Sequence, residues 1–295
     1  MERPLVVIDV GTTKVCTLVG EVGESGELRV AGVGVVPSRG LHKSEIVDIE
    51  EAAKAIGRSV QKAGEISGHT VTEAYVGIGG GHISSQNSRG VVAIGRGDRP
   101  IDRDDIDRAM QSALAVTLPH NRRVIHCRPR EFIVDGQEGV KNPLGLMGFR
   151  LEVEAHIVTG ADTLVQNLVH SVEMNEIEIV RLIAQPLASA EAVLTEEERT
   201  LGVVLIDVGG GTTDFTICVE GTPWETQVLR VGGSQLTRDI AVGLHTPLAI
   251  AEDLKVRYAH ADPEAIDGEE KIEITTFGSG SQTTVSRREI CRVLD

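Results

Sequence analysis

Aromatic residues are scarce in this chain: seven in 295, with a single tryptophan. A core must therefore be aliphatic, which suits β-branched strands and alanine-rich helices. Positive charge is also in deficit. The formal net charge is −15, which argues against nonspecific binding of nucleic acid or of an anionic membrane by the chain as given. Cys16, Cys127, Cys218 and Cys291 lie far apart without CxxC spacing. They are read as reduced thiols of a cytoplasmic protein. The nine histidines form no HExxH or His/Cys cluster that would suggest zinc. No apolar window approaches a membrane span, and no N-terminal stretch resembles a signal peptide. The patterns GxxxxGKS/T, GxSxG and GxGxxG are absent. That argues against a P-loop NTPase, an α/β-hydrolase and a Rossmann dehydrogenase.

What is present is 41% hydrophobic residues, enough for packed cores, in a length that accommodates two or more domains. The most informative stretch is Val203–Val219, VVLIDVGGGTTDFTICV. An apolar run ends in Asp207, three glycines and two threonines follow, and a second run begins after Asp214. This pattern predicts a β-hairpin with a glycine-rich turn. Without a Cβ, Gly209, Gly210 and Gly211 let a phosphate approach consecutive backbone N–H groups. Asp207 at the strand end is placed to hold a hydrated Mg²⁺, an ion that needs few protein carboxylates. An Asp-Gly hairpin without a ligand is the plainer alternative. The pattern occurs twice, however: Val6–Gly20 reads VVIDVGTTKVCTLVG, with Asp9 198 positions before Asp207. Two such hairpins facing each other would clamp a triphosphate and its metal between two related lobes.

This duplication resembles the actin–Hsp70–sugar kinase superfamily, and within it the FtsA family of bacterial cell division proteins. Asp9–Thr13 looks like its first phosphate motif and Asp207–Asp214 its second. Ile183–Leu194 (IAQPLASAEAVL) is similar to its first connecting helix, and Arg230–Lys255 (RVGGSQLTRDIAVGLHTPLAIAEDLK) to the FtsA version specifically. The resemblance implies an α/β, actin-like two-lobed ATPase fold with an inserted α+β subdomain. The expected parts are a first lobe over 1–81 and 159–198, the insertion over 82–158, the second lobe over 199–236 and its smaller subdomain over 237–295. Gly79-Gly80-Gly81 lacks a preceding Asp and a following Thr pair, and is read as a turn leaving the first lobe. The insertion should hold short strands at Val91–Gly95, Val124–Cys127, Glu131–Val134 and Leu151–Val158, with one helix capped by Asp102 and running to about Leu118. Arg39–Asp48 and Thr195–Thr200 are expected as loops. Ser234 and Thr246 are expected to cap helices, and Ser286–Glu289 is a capping-box pattern. The chain stops without a stop signal, so the second lobe is expected to be incomplete. The glycine-rich adenosine motif and the amphipathic C-terminal helix of the family would lie beyond Asp295.

The resemblance also implies roles. Gly11, Thr12, Thr13 and Lys14 would contact phosphates from one side, and Gly209, Gly210, Gly211, Thr212 and Thr213 from the other. Asp9 and Asp207 would organise Mg²⁺ through water. Lys14 could equally be a solvated lysine. Gln185 falls where the superfamily places the residue that orients the attacking water; a glutamine orients water without accepting its proton, so at most slow hydrolysis follows. The alternative is a helix-start glutamine bonded to backbone. Glu252 and Lys255 match the segment that contacts ribose and purine, against a surface pair contributing only a few tenths of a kcal/mol. The implied function is an ATP-binding, filament-forming protein that tethers FtsZ to the inner membrane and helps assemble the division ring. It would be cytoplasmic and peripheral at the division site, reaching the membrane only through the C-terminal helix. Later division proteins would bind the insertion. Arg287, Arg288 and Arg292 are candidates for holding the acidic FtsZ tail, against a solvated helix face. A type IV pilus assembly ATPase and a small-molecule kinase on the same fold are the alternatives.

Overall fold

Alternating burial builds the first sheet. In β1 (Leu5–Val10) Val6, Ile8 and Val10 are buried, and in β2 (Lys14–Val22) Val15, Thr17 and Val19 are buried. A computed structural model describes residues 4–95, 99–115, 119–267, 270–277 and 282–294. β3 (Leu28–Pro37) completes an antiparallel meander. The stretch expected as a loop after it contains a tight two-strand turn, β4 (Leu41–His42) and β5 (Glu45–Ile46). Helix α1 (Ile49–Ser67) starts at Asp48, whose side chain accepts from Glu51 N, and ends at left-handed Gly68. Its buried small residues, among them Ala52, Ala55, Ser59 and Ala63, let its backbone lie directly on β3. A Cβ added at Gly34 would overlap Ser59 O. β6 (Glu73–Ile78) then joins β1 in parallel.

The next segment builds a second layer. β7 (Ser84–Ala93) begins well before the short strand expected at Val91. Helix α2 (Arg103–Leu114) has a complete capping box between Asp102 and Asp105; its expected end near Leu118 lies outside the described residues. The two strands expected at Val124–Cys127 and Glu131–Val134 are one, β8 (Arg122–Val134). Pro129 falls between the two expected strands, and a register shift at Glu154/Ala155 accommodates it so that the ladder continues. β9 (Gln137–Val140) and β10 (Arg150–Ala161) follow. α2 seats on β7 as α1 does on β3: a Cβ at Gly90 would overlap Ala109 O.

α3 (Asp162–Glu173) and β11 (Glu178–Ala184) return to the first sheet, whose order is β11-β6-β1-β2-β3. α4 (Gln185–Val193) starts with proline inside its first turn. The charged stretch expected as a loop is a helix, α5 (Glu196–Leu201), because Thr195 and Glu198 form a reciprocal capping box. β12 (Val203–Val208), β13 (Thr213–Val219) and β14 (Thr222–Leu229) form the second hairpin and its extension. They are continuous with the second layer in one seven-stranded sheet, β12-β13-β14-β7-β10-β8-β9. The junction is one registered pair, Gln227 with Ser84, reinforced by side chains. Buried His156 lies 2.9 Å from Asn87 Oδ1 and 3.0 Å from Thr226 Oγ1, and Arg130 stacks 3.7 Å over the Trp224 ring.

Contacts divide the chain into Met1–Arg230, which holds all of these elements, and Val231–Asp295. The second unit contains α6 (Gly233–Gly243), α7 (Leu248–Tyr258), β15 (Lys271–Thr275), β16 (Gln282–Ser286) and α8 (Arg287–Arg292) around Ile240, Leu254, Ile272, Ile274 and Ile290. Neither expected cap at Ser234 nor at Thr246 forms. The N-cap positions are Gly232 for α6 and Pro247 for α7, both without a side-chain cap. The Thr246 hydroxyl instead donates to Thr275 O at 2.7 Å. Ser286 does cap α8, accepting from Glu289 N.

Candidate functional site

The two aspartate-led hairpins share one geometry. In the first, Asp9 pairs with Cys16, Val10 with Val15, and Gly11 N donates to Lys14 O at 3.0 Å. In the second, Asp207 pairs with Asp214, Val208 with Thr213, and Gly209 N donates to Thr212 O at 2.8 Å. Gly209, Gly210 and Gly211 are not left-handed; they are glycines because other atoms come close. A Cβ at Gly210 would overlap Thr13 Cγ2, and one at Gly211 would lie 2.6 Å from Thr12 Oγ1 and 2.9 Å from Lys43 Cα. The two turns therefore converge, bringing Thr12 and Thr13 against Gly210 and Gly211. Lys14 opens β2 with an exposed side chain, and Thr213 heads β13.

Acid groups gather behind the turns. Burial raises the Asp9 carboxyl above its ordinary range; a hydrogen bond from Gln185 and the Lys14 charge oppose the rise, and Asp207 adds to it. Gln185 Nε2 donates to Asp9 Oδ1 at 2.5 Å. The Ser189 hydroxyl donates to Asp207 Oδ2 at 2.7 Å. Asp214 is 7% exposed. Burial, then Asp207 and Asp9, push its pKa up to about 7. Its Oδ1 is buried without a hydrogen-bond partner. Among the described residues no three acid, histidine or cysteine side chains are grouped closely enough to ligate a metal directly. The mutual repulsion of these carboxylates and the orphaned Asp214 oxygen suit a cation that keeps its own water shell.

Sequence reasoning included Asp214 in the motif but assigned it no role. Overlaying the two hairpins would have marked it, since it occupies the place of Cys16. Two further residues were missed. Gly79 was read only as a turn residue, yet a Cβ there would overlap Gln185 Oε1, so its bareness seats the glutamine. His126 on β8 accepts from Ala184 N at 3.0 Å, immediately before Gln185. Burial, with Arg128 and Arg181, lowers its pKa to about 4, which keeps it a neutral acceptor.

In the second unit, Glu252 and Lys255 are paired. Lys255 Nζ donates to Glu252 Oε2 at 2.7 Å, Thr237 Oγ1 at 2.9 Å and Gly233 O at 3.1 Å. This network fastens α7 to α6. Arg287 donates to Tyr258 O at 2.9 Å and to Glu270 Oε2 at 3.2 Å. Arg288 and Arg292 lie 4.0 and 3.9 Å from Glu264 carboxylate oxygens.

Two family models match the chain. "SHS2 domain inserted in FTSA" covers residues 80–159, and "Cell division protein FtsA" covers residues 204–291. Among similar proteins, cell division protein FtsA of Pseudomonas aeruginosa is 42% identical over 99% of this chain and 70% of its own length. The Escherichia coli K12 protein of that name is 35% identical over 100% of this chain and 70% of its own length. The Bacillus subtilis one is 36% identical over 98% and 66%. Solved structures share the fold at low identity. A PilM–PilN type IV pilus biogenesis complex matches with TM-score 0.64 and 14% identity, covering 86% of this chain and 69% of that one. MreB5 of Spiroplasma citri bound to AMPPNP matches with TM-score 0.51 and 16% identity, covering 100% and 74%.

Proposed function

The chain belongs to the FtsA family of actin-like cell division proteins, and on that premise we propose that its paired hairpins bind the phosphates of ATP with Mg²⁺. The observation that carries this reading is the convergence of two turns of the same geometry, so that Gly210 and Gly211 meet Thr13 and Thr12. Gly11, Thr12, Thr13 and Lys14 contact the phosphates from one side, and Gly209, Gly210, Gly211, Thr212 and Thr213 from the other. The N–H groups of Gly11 and Gly209 close their own turns, so the other turn N–H groups and the hydroxyls donate to phosphate oxygens while the two glycines allow close approach. Asp9 and Asp207 would hold the metal through water, with the Asp214 carboxyl close by. A bound Mg²⁺ would neutralise phosphate charge during phosphoryl transfer. Gln185 positions the attacking water while its amide steadies Asp9. It cannot take the proton, so turnover is slow. Glu252 and Lys255 serve ribose and base.

The cellular role follows from the family. The chain self-associates into actin-like filaments and binds the acidic C-terminal tail of FtsZ through its second unit. A C-terminal amphipathic helix fastens the full-length protein to the cytoplasmic face of the inner membrane at the division site, and later division proteins bind the inserted subdomain. Arg288 and Arg292 are the arginines open to an acidic tail, since their ion pairs with Glu264 are at the limit of range. Arg287 is committed to Tyr258 and Glu270. The pilus-assembly and small-molecule kinase alternatives are not favoured: identity to the pilus complex is 14%, against 42% to a cell division protein.

The test is calorimetric titration of ATP into the chain with Mg²⁺ and with EDTA. Tight binding should need the metal and should be lost in Asp207→Ala, whose circular dichroism should be unchanged. Metal-independent binding, or an unaffected variant, removes Asp207 from the site.

A further inference from the structure

A third element meets both hairpin turns. It is the β4–β5 turn, whose two tip residues, Lys43 and Ser44, are left-handed with φ of 51° and 60°. Non-glycine residues rarely hold that conformation, and it persists where surrounding contacts impose it. Those contacts are identifiable. Ser44 N donates to Thr12 Oγ1 at 2.8 Å. Ser44 Oγ lies 3.0 Å from Thr12 Oγ1 and 3.2 Å from Thr212 Oγ1, both within hydrogen-bond distance. The Ser44 hydroxyl thus links the first hairpin to the second. At the base of the same turn, Glu45 pairs with Arg230 at 3.1 Å.

Proton counting shows what this chain of hydroxyls can do. Each hydroxyl has one proton to donate. The Thr212 side chain is also hydrogen-bonded to the Asp214 carboxyl, so the three protons serve three links: Thr12 with Ser44, Ser44 with Thr212, and Thr212 with Asp214. Thr12 and Thr212 are also the hydroxyls of the proposed phosphate turns. A phosphoryl group with three free oxygens can receive Thr12, Ser44 and Thr212 together. Hydrogen bonds to a charged oxygen are roughly twice as strong as those between neutral hydroxyls, so the exchange favours the anion.

We propose that Ser44 is a third phosphate-binding element, specific for the terminal phosphate of a nucleoside triphosphate, and that it distinguishes triphosphate from diphosphate. The inference rests on the nucleotide reading of the hairpins. With the inner phosphates held on backbone N–H groups of the two turns, the third phosphoryl, one anhydride unit further out than the end of a diphosphate, is the group that extends to these three hydroxyls. A diphosphate leaves the Thr12–Ser44–Thr212 link intact.

The experiment compares Mg-ATP and Mg-ADP affinity, by calorimetry, in the unaltered chain, Ser44→Ala and Ser44→Gly. Glycine removes the hydroxyl while relieving the left-handed backbone, so a folding defect cannot account for its effect. Both variants should lose about tenfold in affinity for ATP and keep their ADP affinity within about twofold, so the preference ratio moves. A merely structural role would weaken both nucleotides together. An unchanged ratio in Ser44→Gly, with the unaltered chain binding ATP, overturns the role of Ser44 and leaves the hairpin reading standing. Failure of the unaltered chain to bind either nucleotide overturns both.

Discussion

Gln185 Nε2 donates to Asp9 Oδ1, joining the first turn of α4 to the end of β1 across 176 positions of sequence. The amide is suited to this place because it supplies a donor to a carboxylate that burial has already made costly to ionise.

Gln185→Glu replaces that donor with a second acceptor beside Asp9, Asp207 and Asp214. In EDTA the variant should be less stable to urea by roughly 1–2 kcal/mol, the cost of a lost hydrogen bond and a like-charge contact. Mg²⁺ with ATP should restore most of the loss. An equal loss with and without metal would mean that no cation is held among these carboxylates.

Asp214 predicts a second, pH-dependent effect. Its folded pKa of about 7 lies above the ordinary carboxylate value of 3.8. Between those values the unfolded chain has released a proton that the folded chain retains, so folding stability falls as pH rises from about 4 to 7. Asp214→Asn removes the penalty. Its melting temperature should exceed that of the unaltered chain at pH 8, corresponding to roughly 1–3 kcal/mol, and show no gain at pH 4. A gain of the same size at both pH values would trace the effect to packing instead.

Histidines act in the opposite direction. Burial lowers His82, His126 and His156 to about 4, with nearby arginines contributing to each. Below pH 6.5 the unfolded chain takes up protons that the folded chain refuses, so these groups remove stability as pH falls from 6.5 towards 4. Each contributes a slope of about 1.4 kcal/mol per pH unit inside that window, partly offset by Asp214. His156→Gln should flatten the urea-derived stability profile by about one proton. An unaltered slope would mean that His156 is protonated in the folded sheet.

Gly34 and Gly90 test the packing of the two layers. Each lies in a strand crossed by a helix backbone, at Ser59 and at Ala109 respectively. Gly34→Ala and Gly90→Ala should each cost about 2 kcal/mol or more, because backbone rather than a flexible side chain must move. Gly26→Ala meets nothing within 4 Å but has φ of 82°, so a cost of only about 1 kcal/mol is expected there, from backbone strain. Equal losses at all three positions in denaturant titrations would contradict the seating of α1 and α2.

Much of this was legible from local chemistry. The Asp9 and Asp207 hairpins and the helix capped by Asp102 all depend on residues within a few positions of one another. Strand alternation, turn glycines and capping pairs are written at that range. Local rules also misled. Ser234 and Thr246 have capping chemistry but cap nothing, because the cap positions fall at Gly232 and Pro247 and the Thr246 hydroxyl is taken by Thr275. The two short strands expected on either side of Pro129 are one, because a bulge absorbs the irregularity.

The sequence by itself determined the two hairpins, their leading aspartates and the glycines of their turns, because a turn is built from adjacent residues. Only the tertiary structure decided how those hairpins are completed. Ser44 reaches Thr12 across 32 positions and Thr212 across 168, and Gln185 reaches Asp9 across 176. Gly79 is bare for the sake of Gln185, and Asp214 is left with an orphaned oxygen while Asp207 and Asp9 help push its pKa up. No periodicity or spacing records such pairings, since they arise when separate strands and turns are packed against one another and buried groups must find partners at whatever distance the packing brings them.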